Sequence, residues 1–397
     1  MRVVHLADLH LGFRQYQRLT RRGHNQREAD VASTFTRAIT QVIALAPELI
    51  VVAGDVFHMV RPSNPTIIHA YQQFTRLRVA LPRTAIVMVA GNHDAPRTAE
   101  TGCILELFGE LGVHVADRGA ERFVLPEHDC SVLAVPDLPG VERPRLAPEG
   151  ASRFQLLVLH GEVQGALPAH IAPSDRASVE IARGELGAEQ FHYVALGHYH
   201  VHREIAPNAW YAGSLDYTSS NPWGELREER EARLPGKGFV ERDLVTGAHT
   251  FHHVAPARPL IDLPVLDAAG LTAREVDQAV AQAVEGIEGG ITDAIVRLVV
   301  HNLPRHLVSD LDHKALREYR RLALNFRLDA REPDPEPTTR EGSGAPVRKR
   351  SLPQLLRERL TTRALPSDVA REPFVSTGLD YLEQASAGLA SLDDDAG

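Results

Sequence analysis

The feature that most constrains this chain is a recurring junction. Five short apolar runs, at residues 3–7, 49–53, 86–90, 154–159 and 193–196, each pass directly into polar residues able to bind a metal. Their length and β-branched content predict strands. Helical patterns lie between the early runs, one over residues 28–46 with Val31, Phe35, Ile39, Val42 and Ile43 on one face, closed by Pro47, and one over 65–79. Strands alternating with helices predict an α/β core, and in such sheets ligands gather beyond the carboxyl ends of the strands. A series of strand–donor junctions therefore predicts one active edge.

In order, the junctions read Asp8-Leu9-His10, Gly54-Asp55, Gly91-Asn92-His93-Asp94, His160-Gly161 and Gly197-His198-Tyr199-His200. Side chains two apart on extended backbone point the same way, so both members of the D-x-H and H-x-H pairs can reach one centre. The glycines at 54, 91, 161 and 197 are expected to let the backbone turn sharply at the strand ends. Singly, D-x-H usually ends a surface strand, and GD or GN marks a turn. Five such elements, each behind an apolar run, predict a bimetallic pocket. Hydrolysis of a phosphodiester at neutral pH needs a strong nucleophile and charge neutralisation, and two ions roughly 3.5–4 Å apart meet both needs. The donors are oxygen and imidazole without thiolate, which suits manganese or iron and is compatible with zinc.

Composition narrows the setting. With 43% hydrophobic and 24% charged residues the 397-residue chain reads as globular, and no run approaches the roughly 20 apolar residues of a membrane span. The first residues run into a strand without the regions of a signal peptide, so a cytoplasmic location is expected. The two cysteines, Cys103 and Cys130, have no paired spacing, which argues against a thiolate metal site or a disulfide framework. A net charge of -9 opposes nucleic-acid binding by bulk electrostatics and leaves only a local basic groove. Among 20 histidines, His24, His69, His114 and His252 read as surface or structural residues.

Residues 1–255 are expected to form the main domain, with a turn-rich, β-like stretch over 210–244 and a boundary at Pro256 and Pro259. Residues 256–330 read as a smaller α/β unit: extended at 260–266, helical at 272–284, strand at 294–300, helical at 313–321 and extended at 322–328. Residues 331–350, rich in Pro, Gly and charge, read as a flexible linker. In the tail, 351–397, the segments 352–360 and 379–389 carry helix-spaced apolar residues that either fold back on the body or dock a partner.

The pattern D-x-H, GD, GNH[DE], H, GHxH resembles that of the calcineurin-like metallophosphoesterase superfamily. The resemblance implies a four-layer α/β/β/α sandwich, here with a smaller C-terminal α/β capping domain and a helical tail. It implies one metal on Asp8, His10, Asp55 and His200 and a second on Asp55, Asn92, His160 and His198, with Asp55 bridging. It also implies that His93 acts near the scissile phosphate as acid or transition-state stabiliser, and Asp94 is expected to orient it through a His–carboxylate bond.

Three further features resemble the SbcD-type DNA repair exonucleases: Asp8-Leu9-His10-Leu11-Gly12 before a basic stretch, Gly54-Asp55-Val56-Phe57-His58, and a small α/β unit with a tail behind the core. The similarity is close over about residues 1–255 and looser over 256–330. It implies manganese-dependent exonuclease action on double-stranded DNA ends and endonuclease action on single strands or hairpins. It further implies a homodimer that assembles with an SbcC-type SMC-like ATPase in double-strand break repair. His58 would be a second catalytic histidine contacting the phosphate. Arg14, Arg27 and Arg61 are expected to touch the DNA backbone or to remain solvated surface charge. Two competing readings are a cyclic-nucleotide phosphodiesterase on the same fold and a non-catalytic DNA-end scaffold; the second predicts degraded ligands, whereas all seven are intact.

Overall fold

The structure is a computed structural model that describes residues 1–96, 102–141, 143–166, 177 and 179–333, and in the tail 356–357, 359–361, 370–379 and 381–382. The chain opens with β1 (Arg2–Leu6), α1 (Gln26–Leu45), β2 (Leu49–Ala53), α2 (Asn64–Ala80) and β3 (Ala85–Val89). Asn25 caps α1 by accepting the N–H groups of Arg27 and Glu28, and the helix stops at a left-handed Ala46 just before Pro47. Then come β4 (His114–Ala116), β5 (Glu121–Leu125), β6 (Cys130–Val135), β7 (Phe154–His160), β8 (Glu162–Val163), β9 (Glu180–Ile181), β10 (Tyr193–Gly197), β11 (Arg203–Ala206) and β12 (Ala209–Tyr211). Next are α3 (Pro222–Glu231), β13 (Gly238–Asp243) and β14 (His249–His253). Helix α3 corrects the expectation of turn and strand over 210–244. Its residues, PWGELREERE, carry no apolar stripe, because the face it buries includes Glu225 and Glu229.

Two six-stranded sheets result, in the orders β14-β13-β1-β2-β3-β4 and β11-β12-β10-β7-β6-β5. Each contains four parallel strands; antiparallel β13 continues the first sheet on one side, and antiparallel β11 and β5 border the second on both. Alternation along the strands sorts the core into layers. Val3, Val51, Val87 and Val89 meet Val132, Leu156, Val158 and Ala195 between the sheets. Val4, Leu6, Ile50, Val52 and Met88 face Phe35, Ile39, Phe74 and Leu77 of α1 and α2. Both faces of β1, β2 and β3 are thus covered, which is why β2 and β3 read as unbroken apolar runs and β1 is interrupted only by the buried His5 after Arg2. On the outer face of the second sheet, Leu157 and Leu159 are covered by Leu146, Val163, Ile181, Leu186 and Phe191. Among the described residues this layer consists of loops and the β8–β9 pair rather than long helices.

The remaining elements are β15 (Leu260–Asp262), β16 (Leu266–Asp267), α4 (Ala273–Glu285), β17 (Ile295–His301), α5 (Arg305–Asp310), α6 (His313–Leu322) and β18 (Asn325–Ala330). Their strands form a parallel sheet around β17, over a separate cluster that includes Val276, Val280, Leu298, Leu316 and Phe326. Arg258 ties this part to α1: its Nε donates to Asp30 at 2.7 Å and its Nη1 to the Asp293 carbonyl at 3.1 Å. Met1–Asp334 forms one unit and Pro335–Gly397 another. In the second, residues 371–379 are helical, whereas residues 334–350 of the expected linker and parts of both tail segments lie outside the described residues. Among the described residues no helix is long and apolar enough to cross a membrane.

At the carboxyl ends of β2, β7 and β10 the two sheets approach so closely that a side chain does not fit at the glycines. A Cβ on Gly197 would lie 1.7 Å from the Ala53 carbonyl oxygen, one on Gly54 2.2 Å from His160 Nδ1, and one on Gly91 2.1 Å from Asp55 Oδ1. Of the four glycines at the junctions only Gly54 has a positive φ, at 89°. The others are needed for close approach rather than for a sharp turn. Gly197→Ala is therefore expected to destabilise the fold by at least about 3 kcal/mol, the upper range for overpacking. Gly109→Ala, whose Cβ would meet nothing within 4 Å, is expected to stay within about 0.5 kcal/mol of the parent. Urea unfolding of the two variants checks the contrast.

Candidate metal centre

Donors from both sheets meet at this edge. Asp8 and His10 follow β1, Asp55 follows β2 and Asn92 follows β3; His160 ends β7, and His198 and His200 follow β10. His10 Nε2 lies 3.0 Å from His200 Nε2 and 3.5 Å from Asp55 Oδ2. On the other side of the same carboxylate, His160 Nε2 lies 3.6 Å from Asp55 Oδ2 and 3.0 Å from Asn92 Oδ1. Asp8 accepts the His198 backbone N–H at 2.9 Å and 3.1 Å, and the His198 and His160 rings meet edge to face at 5.4 Å. All seven expected donors thus come together, with Asp55 between the two groups.

Their convergence has a different cause from the one periodicity suggested. Asp8, His10, Asp55 and His198 all have left-handed backbone, at φ 51°, 43°, 51° and 101°. Non-glycine residues rarely adopt this region, and such strain gathers at sites the surrounding structure over-determines. Here the over-determination comes from a backbone ladder between two loops. Asp8 N–H donates to Gly54 O at 3.1 Å, His10 N–H to Asp55 O at 2.9 Å and Leu11 N–H to Val56 O at 2.9 Å.

Burial, reinforced by Asp55, raises the Asp8 carboxyl well above its usual range. Burial also works against the charge of Asp55, but the imidazoles of His160 and His93 hold its pKa below the ordinary value. Burial drives His10 and His160 toward the neutral form. His160 Nδ1 donates to the Ala53 carbonyl at 2.8 Å, so its Nε2 presents a lone pair to the Asn92 oxygen. Two acceptors aimed at one another, among crowded carboxylates and neutral imidazoles, fit a cation. The cluster could hold divalent ions that accept oxygen and nitrogen donors.

His93 is half-buried, and its Nδ1 donates to the His58 carbonyl at 2.8 Å. Its ring stacks on His58 at 5.1 Å and 21°, and His58 Nδ1 lies 3.3 Å from His10 Nδ1. Asp94 does not orient His93. Its fully buried carboxylate accepts the backbone N–H groups of Val56 (3.1 Å), Phe57 (2.8 Å) and Gly91 (3.1 Å), which clamps the loop after β2 to the loop after β3. Burial, with Asp55 nearby, pushes the Asp94 carboxyl up to about 7. A cavity of about 360 Å³ opens over the cluster, bordered by Phe13, Arg14, His58, His93 and Tyr199.

The three arginines separate. Arg27 is only 1% exposed; its Nη2 donates to Asp216 at 2.8 Å and to the Tyr217 carbonyl at 2.9 Å, and Nη1 lies 3.7 Å from Asp30. The expectation that Arg27 faces DNA is therefore corrected: a side chain on the buried face of α1 serves an internal ion pair. Arg14 pairs with Glu28 at 2.8 Å at the cavity rim, and Arg61 is exposed.

Other residues at the site escaped the sequence reading. His200 Nδ1 faces Glu225 Oε1 at 3.4 Å, and the fully buried Lys237 bonds Glu225, Glu229 (2.9 Å) and the His200 carbonyl (2.8 Å). Burial opposes ionisation of Glu225, yet Lys237 and His200 bring its pKa down to about 2. Glu162, buried beside His160, lies with Oε1 3.3 Å from His198 Nε2. The one available signal was the Glu225–Glu229 spacing of one helical turn, on a helix with no apolar stripe to reveal it.

A two-sheet α/β sandwich with a histidine- and aspartate-lined pocket at one edge is matched over residues 1–202 by the family model described as calcineurin-like phosphoesterase, and the chain belongs to that family. Among curated relatives it is 26% identical over 259 residues to the DNA double-strand break repair protein Mre11 of Methanococcus maripaludis, covering 62% of this chain and 63% of that protein. It is 24% identical over 348 residues to the protein of that name from Saccharolobus solfataricus, covering 83% and 82%. The chain thus spans about three fifths of the length of the first of these relatives. A solved dimetal phosphatase from Danio rerio overlaps 60% of this chain and 91% of its own, at 12% identity and a TM-score of 0.32.

Removing one partner of a buried ion pair typically costs about 3–5 kcal/mol. Arg27→Met should lower stability by that amount, while Arg61→Met should leave it within about 0.5 kcal/mol. Chemical denaturation of the metal-stripped protein distinguishes these outcomes.

Proposed function

We propose that this chain is a manganese-dependent DNA nuclease of double-strand break repair, acting on duplex ends and on single strands or hairpins. The observation that supports this reading is Asp55 Oδ2, 3.5 Å from His10 Nε2 and 3.6 Å from His160 Nε2; the reading assigns Asp8, His10 and His200 to one side of it and Asn92, His160 and His198 to the other. Each group with Asp55 would hold one ion. When bound, two such ions supply an activated water and neutralise charge on the phosphoryl oxygens. The protein's own side chains then orient the substrate. His93, fixed through Nδ1, has Nε2 left to meet an oxygen of the scissile phosphate, and His58, stacked on it, holds that ring plane.

A second cavity favours a polymer over a cyclic nucleotide. It measures about 580 Å³, shares Gln15, Ser220 and Asn221 with the first, and is bordered by Arg297, Arg320 and Arg327 of the small α/β part. Asp262 holds Arg297 through two bonds of 2.9 and 2.7 Å, and its guanidinium sits 4.7 Å from the Trp223 ring centre. Arg320 and Arg327 are exposed. Arg320 and Arg327, exposed beside the Asp262-paired Arg297, support the reading of a local basic groove on a chain of net charge -9. The relatives' shared name, DNA double-strand break repair protein, supports DNA repair as the setting. We extend the reading to a cytoplasmic homodimer working with an SbcC-type SMC-like ATPase docked on the tail.

Linear duplex DNA should be degraded with manganese and left intact with chelator, at rates well above those on a cyclic nucleotide; the reverse preference removes the proposal. His93→Ala should lower turnover by roughly 10²- to 10⁴-fold, the range for a lost general acid, with manganese stoichiometry unchanged by calorimetry. Deleting residues 351–397 should spare the isolated nuclease and abolish co-elution with the ATPase.

A further inference from the structure

Glu162 lies two residues beyond His160, on a segment held from several sides. Its backbone N–H donates to Val179 O at 2.8 Å. The Tyr211 hydroxyl donates to Gly161 O at 2.9 Å and accepts the Val163 N–H at 3.0 Å, so both neighbours of Glu162 are pinned. Ala177 N–H reaches Glu162 Oε1 at 3.1 Å. The side chain is 5% exposed, and the same Oε1 lies 3.3 Å from His198 Nε2.

Oε1 already accepts the Ala177 N–H, so the His198 nitrogen facing it is assigned as the donor and Nδ1 keeps the lone pair. His200 has the opposite polarity: Nδ1 faces Glu225 at 3.4 Å and Nε2 faces His10 Nε2 at 3.0 Å. The two histidines of the H-x-H pair thus offer opposite nitrogens, each backed by a buried glutamate. Lys237 pairs with Glu225, and Glu162 lies 3.3 Å from His198 Nε2, beside the donors of the second ion. A carboxylate behind a ligating histidine fixes its tautomer and raises its basicity, and loss of such a partner typically weakens metal binding 10- to 100-fold.

Resting on the metal-site reading above, we propose that Glu162 is a positioning residue for the second ion: it directs His198 to coordinate through Nδ1 and strengthens that position alone. The test is a calorimetric titration of manganese into metal-stripped wild-type protein and Glu162→Gln, with melting temperatures of both stripped proteins recorded. Wild type should take up two ions. The variant should bind the first equally well and the second 10- to 100-fold more weakly. A second equivalent of unchanged affinity, or equal weakening of both, overturns the inference while leaving the bimetallic reading intact. Wild-type protein that binds fewer than two ions removes both. A crystal structure of wild-type protein grown with manganese decides independently of how the variant folds. His198 Nδ1 on the ion and Nε2 on Glu162 supports the inference, and coordination through Nε2 overturns it.

Discussion

The site depends on one contact between the sheets: His160 of the second sheet donates from Nδ1 to the Ala53 carbonyl of the first, at 2.8 Å. That bond requires the backbones of β2, β7 and β10 to approach without intervening side chains, which explains glycine at 54 and 197. It also fixes the tautomer of His160 and points the other ring nitrogen at Asn92 and Asp55. The valine-rich layer between the sheets sets their spacing elsewhere, and glycine sets it at the edge where the donors gather.

Around this contact the protein buries many charges and compensates them locally. Lys237 is held by Glu225 and Glu229 and braces the His200 carbonyl. Beneath that loop, Asp216 is anchored by Arg27 at 2.8 Å and by the Thr34 hydroxyl at 2.9 Å, and Ser214 N–H bonds back to the His200 carbonyl at 3.1 Å. Helix α1 thereby supports the loop behind His200. Isolated buried charges would be strongly unfavourable, so these networks hold only as complete sets.

The five strand–donor junctions made the core and the clustering of these histidines and carboxylates legible, because a buried parallel strand and a polar side chain at its end both leave plain chemical signatures. The reasons were less legible. D-x-H suggested extended backbone, but Asp8 and His10 are left-handed and held by a loop ladder. Asp94 sits next to His93 in sequence yet bonds backbone groups of a neighbouring loop, a distinction that depends on tertiary folding. Arg27 looked like one more surface cation, since only the packing of α1 against residues 214–218 shows what it meets. Helix α3, which carries Glu225, hid behind its charged composition.

The donor set is divided between the layers, with Asp8, His10, Asp55 and Asn92 on one sheet and His160, His198 and His200 on the other. Any ion shared across that division would act as a rivet at the open end of the sandwich. Binding confined to the folded state adds its free energy to folding. The strained loops of this edge would then be locked by the same event that arms the pocket, so mechanical soundness and readiness to cut would rise and fall together with metal supply.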